Sequence, residues 1–324
     1  MQPNHSQQSN TRRLYWLSFV LLAATFSAAA YFFFITLAPQ AEVPKPSPRA
    51  SVVDNTNRND PSESYETFLH VLNTGGCENT RPAAIAWLDR FAGQNLTLPN
   101  NQVMVVLAMI EKDAHPSWEQ GYRQHIFNSA FNALHLCPTG ETFTRQLLRL
   151  AEHDSDRTMR LYAMQHLNMQ RRIGHLPDGA LATETLKMFT ENARQPKEET
   201  SGYALQVLTN WNGETATQDP DVIRLALATA ADLTRPNDVR VSALFAAGKA
   251  SLELARQLAA DSAQPIHLRK TAVACLGDYG NESDLVILQK LSSESSRLAQ
   301  AADPAHQNIR HRLTNPQTPK LISY

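Results

Sequence analysis

The chain predicts an all-α fold, a helical array preceded by one transmembrane helix. Three observations carry that expectation. Apolar residues recur at spacings of three and four through residues 62–313, no stretch alternates polar and apolar residues as a half-buried strand would, and glycine is scarce at 12 of 324 residues. Few glycines disfavour the turn-rich β architectures. The length supports one or two domains with a sizeable core, and 42% apolar with 19% charged residues fits a folded chain. Thirty Lys and Arg against 31 Asp and Glu leave a net charge of -1. That balance argues against a general nucleic-acid binder, which needs surplus cations to displace counterions from phosphates.

The first 13 residues read as a short cytoplasmic tail, with Arg12 and Arg13 at its end. Leu14 to Ala38 follow as a 25-residue run without a charge, closed by Pro39. A helix of that length spans roughly 37 Å, enough for a hydrocarbon core of about 30 Å. Eight of the 24 aromatics of the chain fall inside it, toward both edges, where rings sit at membrane interfaces. The run exceeds the 7–15 apolar residues of a cleaved signal, so it reads as an uncleaved signal anchor. Lys45 and Arg49 beyond it nearly balance the two arginines before it. Because Arg12 and Arg13 abut the membrane, the N-terminus is expected in the cytoplasm and the C-terminal domain outside it, in the periplasm if the source is bacterial. Residues 39–61 contain five prolines and no aromatics and read as a stalk. Beyond residue 38 the chain carries 28 basic against 31 acidic residues, mildly acidic with no reason to seek nucleic acid.

Residues 62–313 read as helices of about 11–20 residues. Their apolar stripes include Phe68, Leu69 and Leu72; Ile85, Trp87, Leu88 and Phe91; Val103, Val106, Leu107 and Ile110; and Phe127, Phe131 and Leu134. Breaks are expected at Asn73 to Gly76, Leu98-Pro99-Asn100, His115-Pro116, Cys137 to Gly140, Leu176 to Gly179, Gln195-Pro196, Asp219-Pro220, Arg235-Pro236 and Gln264-Pro265. Many of these prolines stand where a new helix starts, the place at which a missing N–H costs least. Ser117 with Gln120 reads as a capping box, and Asn237 or Asp238 as an N-cap. Residues 314–324, with two prolines and no helical period, read as a loose tail.

The helical region repeats. Arg160-x-x-Ala163, Arg240-x-x-Ala243 and Arg269-x-x-Ala272 align, with weaker copies at Ala130 and Ala204; consecutive anchors lie 33, 41, 39 and 29 residues apart. The best copy runs from Leu268 to Gly280, LRKTAVACLGDYG, followed by Leu285, Ile287, Leu288 and Leu291. It resembles the HEAT repeat family, whose second helix carries apolar-Arg-x-x-Ala-x-x-x-Leu-Gly. The resemblance is strongest at residues 154–293. It implies a right-handed α-solenoid of about seven antiparallel helix pairs and, in function, a scaffold or adaptor that binds a protein or peptide on the solenoid surface. It also implies that Arg160, Arg240 and Arg269 form a ladder joined to acidic partners such as Asp156, Asp238 or Asp278. The physical logic stands beside the family. A mid-helix alanine lets helices approach, a glycine ends the helix, and pairs that cannot bury both faces alone must stack.

Chemical motifs are sparse. The eleven histidines form no metal signature, and His135-x-Cys137 with Cys77 matches no common zinc spacing. No Gly-rich phosphate loop, nucleophile elbow or kinase-like set is present, and neither a cofactor nor a catalytic residue is assigned. Cys77 and Cys137, both at helix ends, form a possible disulfide in an oxidising compartment, and Cys275 reads as a core residue. The arginines 145, 149, 157, 160, 171 and 172 interleave with carboxylates as a solvated surface. Among the tryptophans, Trp211 at a helix end is the candidate partner-binding residue. The alternative function is an enzyme on a HEAT-like scaffold, lyase-like, with no residue to name for it.

Overall fold

The computed structural model describes residues 64–112, 115–195, 198–211 and 219–315. The expected tail at 1–13, anchor at 14–38, stalk at 39–61 and nearly all of the tail at 314–324 lie outside the described residues. Among the described residues the fold is all-helical, with no strand, and no helix is long and apolar enough to cross a membrane.

Fourteen α-helices are described. They are α1 (Tyr65–Thr74), α2 (Thr80–Gln94), α3 (Asn100–Glu111), α4 (Gln120–Leu134), α5 (Gly140–His153), α6 (Arg157–Arg172), α7 (Ala180–Arg194) and α8 (Ser201–Thr209). The second half continues with α9 (Pro220–Ala231), α10 (Asn237–Ala246), α11 (Leu252–Ala260), α12 (Ile266–Tyr279), α13 (Asp284–Glu294) and α14 (Ser296–Thr314), with a 3-10 turn at Gly248–Ser251. Among the described residues, each break expected from Pro, Gly or Asn falls at a helix boundary or between helices, and Pro196 lies outside the described residues. Pro99, Pro236 and Pro265 each stand one residue before a helix, and Pro220 opens α9 behind Asp219, whose carboxylate accepts from Asp221 N.

Two expected caps are not formed. The Ser117 hydroxyl meets the His115 ring at 2.8 Å instead of a helix amide, and Gln120 turns its amide to Asp156 at 3.1 Å, so no capping box opens α4. Asn237 and Asp238 lie inside α10, because the fixed φ of Pro236 already sets the entry. Side-chain caps appear instead at Ser64, Asp156, Asp219 and Ser295.

Each even-numbered helix packs on the odd-numbered helix before it, and each even-numbered helix also touches the next even-numbered one, from α2 through α14. Odd-numbered neighbours touch at α3–α5, α5–α7 and α11–α13. One continuous apolar core therefore runs from Phe68 to Ile309 between two layers. The anchor alanines Ala130, Ala163, Ala204, Ala243 and Ala272 are all fully buried. Close approach is clearest where glycine replaces a side chain. A Cβ on Gly202 of α8 would lie 2.7 Å from Ser242 Cβ of α10, and one on Gly277 of α12 would lie 2.7 Å from Ala305 Cβ of α14.

Candidate functional site

The α1–α2 turn, α2 and α4 enclose a groove of about 750 Å³. On α2 the apolar stripe of Ala84, Trp87 and Leu88 faces the core, which leaves Pro82, Ile85 and Ala86 on a second face that floors the groove. Tyr122 from α4 completes that floor. Its ring stands edge-on to Trp118 at 5.2 Å, and its hydroxyl donates to the Arg81 carbonyl at 3.4 Å. Burial pushes the Tyr122 phenol well above its ordinary range.

The wall toward α1 is pinned on one atom. The Gly75 carbonyl accepts from Arg81 Nε at 2.9 Å and from Trp118 Nε1 at 3.1 Å. Gly75 has φ +79° with Ser117 packed on it, so a Cβ there would lie 2.1 Å from Ser117 Oγ. Glycine is required here on both counts. The Arg81 guanidinium also covers the Tyr122 ring at 5.1 Å, donates to the Ser117 carbonyl at 3.3 Å and reaches Glu119 at 4.0 Å. Glu78, Asp89 and Glu119 form an exposed rim, and neither Glu78 nor Asp89 makes an ion pair among the described residues.

Cys77 opens into this groove as an exposed free thiol, and the bond with the Thr80 hydroxyl at 3.5 Å lowers its pKa. Cys137 is also free, so the expected disulfide is not formed. Its thiol is buried on other partners, donating to the Ala133 carbonyl and accepting from Leu98 N, both at 3.3 Å. Cys275 lies fully buried in the core, where burial pushes its thiol up to about 12.

The three recurring arginines do bridge neighbouring elements, with partners other than those expected. Arg240 Nε donates to the Ala230 carbonyl and Arg269 Nε to the Ala259 carbonyl, each at 3.0 Å and each ten residues upstream. Both carbonyls belong to the last turn of the preceding helix, whose C-terminal acceptors have no intrahelical donor. The outer nitrogens then reach forward, from Arg240 to Gln264 at 3.1 Å and from Arg269 to both oxygens of Glu294 at 2.7 and 2.8 Å. Arg160 donates to the Asp154 carbonyl at 2.8 Å and to Glu198 at 3.0 Å. The forward partners are thus Glu198, Gln264 and Glu294, because each arginine faces the end of the next helix or the turn after it, whereas Asp156 and Asp238 stand at the start of the helices that carry Arg160 and Arg240. Bonding to Arg269 holds the Glu294 carboxyl below its usual range.

Trp211 is half-buried against Phe189, at 5.9 Å between rings. The Arg171 guanidinium lies 5.2 Å over the indole while its Nη1 donates to the Trp211 and Asn210 carbonyls at 2.6 and 3.1 Å. Arg171 therefore caps α8 and covers one indole face. Of the remaining arginines of the expected surface, Arg145 and Arg157 pair with carboxylates, locally and at long range, and Arg149 donates to the Ile110 carbonyl at 3.0 Å. Arg145 meets Glu141 at 2.7 Å, and Arg157 bridges Glu199 at 2.8 Å and Asp238.

Sequence reasoning missed the groove and a histidine cluster. His135 lies 6.0 Å from His166 and 6.5 Å from His175 between ring centroids. Both ring nitrogens of His135 and Nδ1 of His166 are buried without a partner. Burial and the neighbouring imidazole push His135 down to about 4 and His166 to about 3. No spacing rule links positions 135, 166 and 175, whereas the off-stripe position of Pro82, Ala86 and Asp89 on α2 was a usable signal for the groove. Among the described residues no group of three or more His, Cys, Asp or Glu is arranged to hold a metal ion. No family model matches the chain, and no curated protein matches it.

Proposed function

We propose that the protein is a membrane-anchored scaffold or adaptor. Its residues 62–313 form a right-handed solenoid of seven HEAT-like helix pairs, and residues 14–38 anchor it with the domain outside the cytoplasm. A protein or peptide partner binds on the solenoid surface. The observation that carries this reading is the two-layer packing, in which even-numbered helices touch in succession while Arg160, Arg240 and Arg269 repeat one kind of bridge. Stacking of this kind makes each pair depend on its neighbours and leaves extended faces as the functional surface. The near-zero net charge supports a partner other than nucleic acid.

Affinity capture of the full chain from detergent-solubilised membranes tests the binding role. A protein partner at constant stoichiometry supports it. A partner-free preparation that retains a small molecule favours the enzymatic alternative. Protease added to intact cells or spheroplasts tests topology separately, since a C-terminal domain that stays whole until lysis is cytoplasmic.

A further inference from the structure

We propose that the groove between α2 and α4 is the docking site for a basic, alternately apolar peptide segment of the partner. This inference rests on the protein-binding reading and specifies its chemistry. From Pro82 to Asp89 the groove runs about 10 Å along α2 at roughly 1.5 Å per residue, the length of about three residues of extended chain. A volume of about 750 Å³ suits a short segment, since sites for small ligands fall at about 300–1,000 Å³.

Two features select the occupant. The floor of Pro82, Ile85, Ala86 and Tyr122 is apolar and takes aliphatic side chains. The rim presents Glu78, Asp89 and Glu119. The one guanidinium there, Arg81, is held by two backbone carbonyls and the Tyr122 ring and reaches only Glu119, at 4.0 Å, so Glu78 and Asp89 stay without a cation partner among the described residues. A segment with Lys or Arg on alternate residues places its cations on the rim and the residues between them on the floor. An acidic segment meets like charge at Glu78 and Asp89. Electrostatic complementarity of this kind sets partner choice and on-rate more than affinity.

Cys77 provides a built-in reporter, because it is exposed in the groove while Cys137 and Cys275 are buried. The full chain is treated with bromoacetyl-Lys-Leu-Lys-Leu-Lys-amide, with the counterpart carrying Glu in place of Lys, and with bromoacetamide, and labelling of Cys77 is followed by mass spectrometry. The basic peptide is expected to label Cys77 at least tenfold faster than bromoacetamide, with saturation, and the acidic peptide no faster. The double variant D89N/E119Q, altered at two exposed positions, should lose most of the acceleration, read in each chain as the ratio of the peptide rate to that chain's own bromoacetamide rate. Labelling by the basic peptide no faster than by bromoacetamide, or an acceleration that D89N/E119Q leaves intact, overturns the proposal. A partner captured stoichiometrically by the D89N/E119Q chain as well as by the wild type removes the groove assignment and leaves the binding role standing. Loss of every partner from the wild-type chain removes the binding role itself.

Discussion

The first five helices and the last seven build the same two layers from different materials. In α1 to α5 the core is made of rings. Phe68, Trp87, Phe127, Phe131 and Phe143 are all fully buried or nearly so, and Trp87 touches Tyr65, Phe68 and Phe91 within 5.5 Å. In α8 to α14 no Phe or Trp is buried among the described residues, and the space is closed by Ala226, Ala230, Ala243, Ala272, Ala302 and Ala305 with Leu between them. Rings fill space between helices held apart, whereas alanines and glycines let backbones come together. Two of the three arginine bridges, those of Arg240 and Arg269, lie in the alanine-packed half, and that of Arg160 lies in α6 before it. A repeat is recognisable when each unit solves packing in the same way.

The comparison breaks most visibly if rings are removed from the first half. Trp87→Ala is expected to cost about 3–5 kcal/mol, the range for deleting a buried large aromatic. Urea denaturation checks this, and a loss below about 1 kcal/mol would mean that the ring cluster is not the keystone of α1 and α2. In the second half the weak point is the opposite one, added volume. Gly277→Val puts carbon where Ala305 Cβ already stands, 2.7 Å from the Cβ position. Overpacking of this sort costs about 1–3 kcal/mol. The same measurement reads it, and a neutral result would show that α12 and α14 separate freely.

Between the two regions lies the histidine cluster, after α4, on α6 and in the turn that follows it, and it supplies a pH-dependent prediction. His166 is 4% exposed and faces His135, which in turn faces His175, so the charges confronting it are other imidazoles. Its folded pKa of about 3 lies below the ordinary 6.5. A depressed pKa means that the unfolded chain takes up the proton first, so this contribution is complete above pH 6.5 and is lost as pH falls from there toward 3. Between pH 7.5 and 5 the loss is about 2 kcal/mol at 1.36 kcal/mol per unit. His166→Phe should flatten that part of the profile, and an unchanged slope in this variant would place the acid sensitivity elsewhere.

Much of the fold was legible because several helices carry their own start or stop. Pro99, Pro220, Pro236 and Pro265 mark helix starts through a fixed φ and a missing N–H, and Gly75 marks an end through its left-handed backbone. The starts at Asp156 and Ser295 carry only a capping carboxylate or hydroxyl, which the same residue types offer at many exposed positions. Pro304 shows the limit of the rule, since α14 continues through it. The groove was less legible. Ile85 reads as one more member of the α2 core stripe, and only packing against α4 shows that it serves a second face. The bridge partners were misassigned for a related reason. Asp156 and Asp238 are near in sequence, whereas Glu198 and Glu294 come near only when the next helix folds back.

The smallest effect sharpens the contrast between a bridge and an ordinary surface pair. Arg145 and Glu141 lie 2.7 Å apart at i and i+4 on α5, yet both side chains are 60% exposed. Water screens such a pair, and holding two long side chains costs entropy that offsets most of the attraction. Arg145→Ala should therefore change stability by no more than about 0.5 kcal/mol. Arg269 has a similar distance to Glu294 with its side chain only 6% exposed, and it also satisfies the Ala259 carbonyl. Its removal leaves a helix-end acceptor without a donor, so Arg269→Ala must cost more than Arg145→Ala in the same denaturation series. Equal costs would mean that the recurring arginine is surface decoration and that the repeat is held by alanine packing alone.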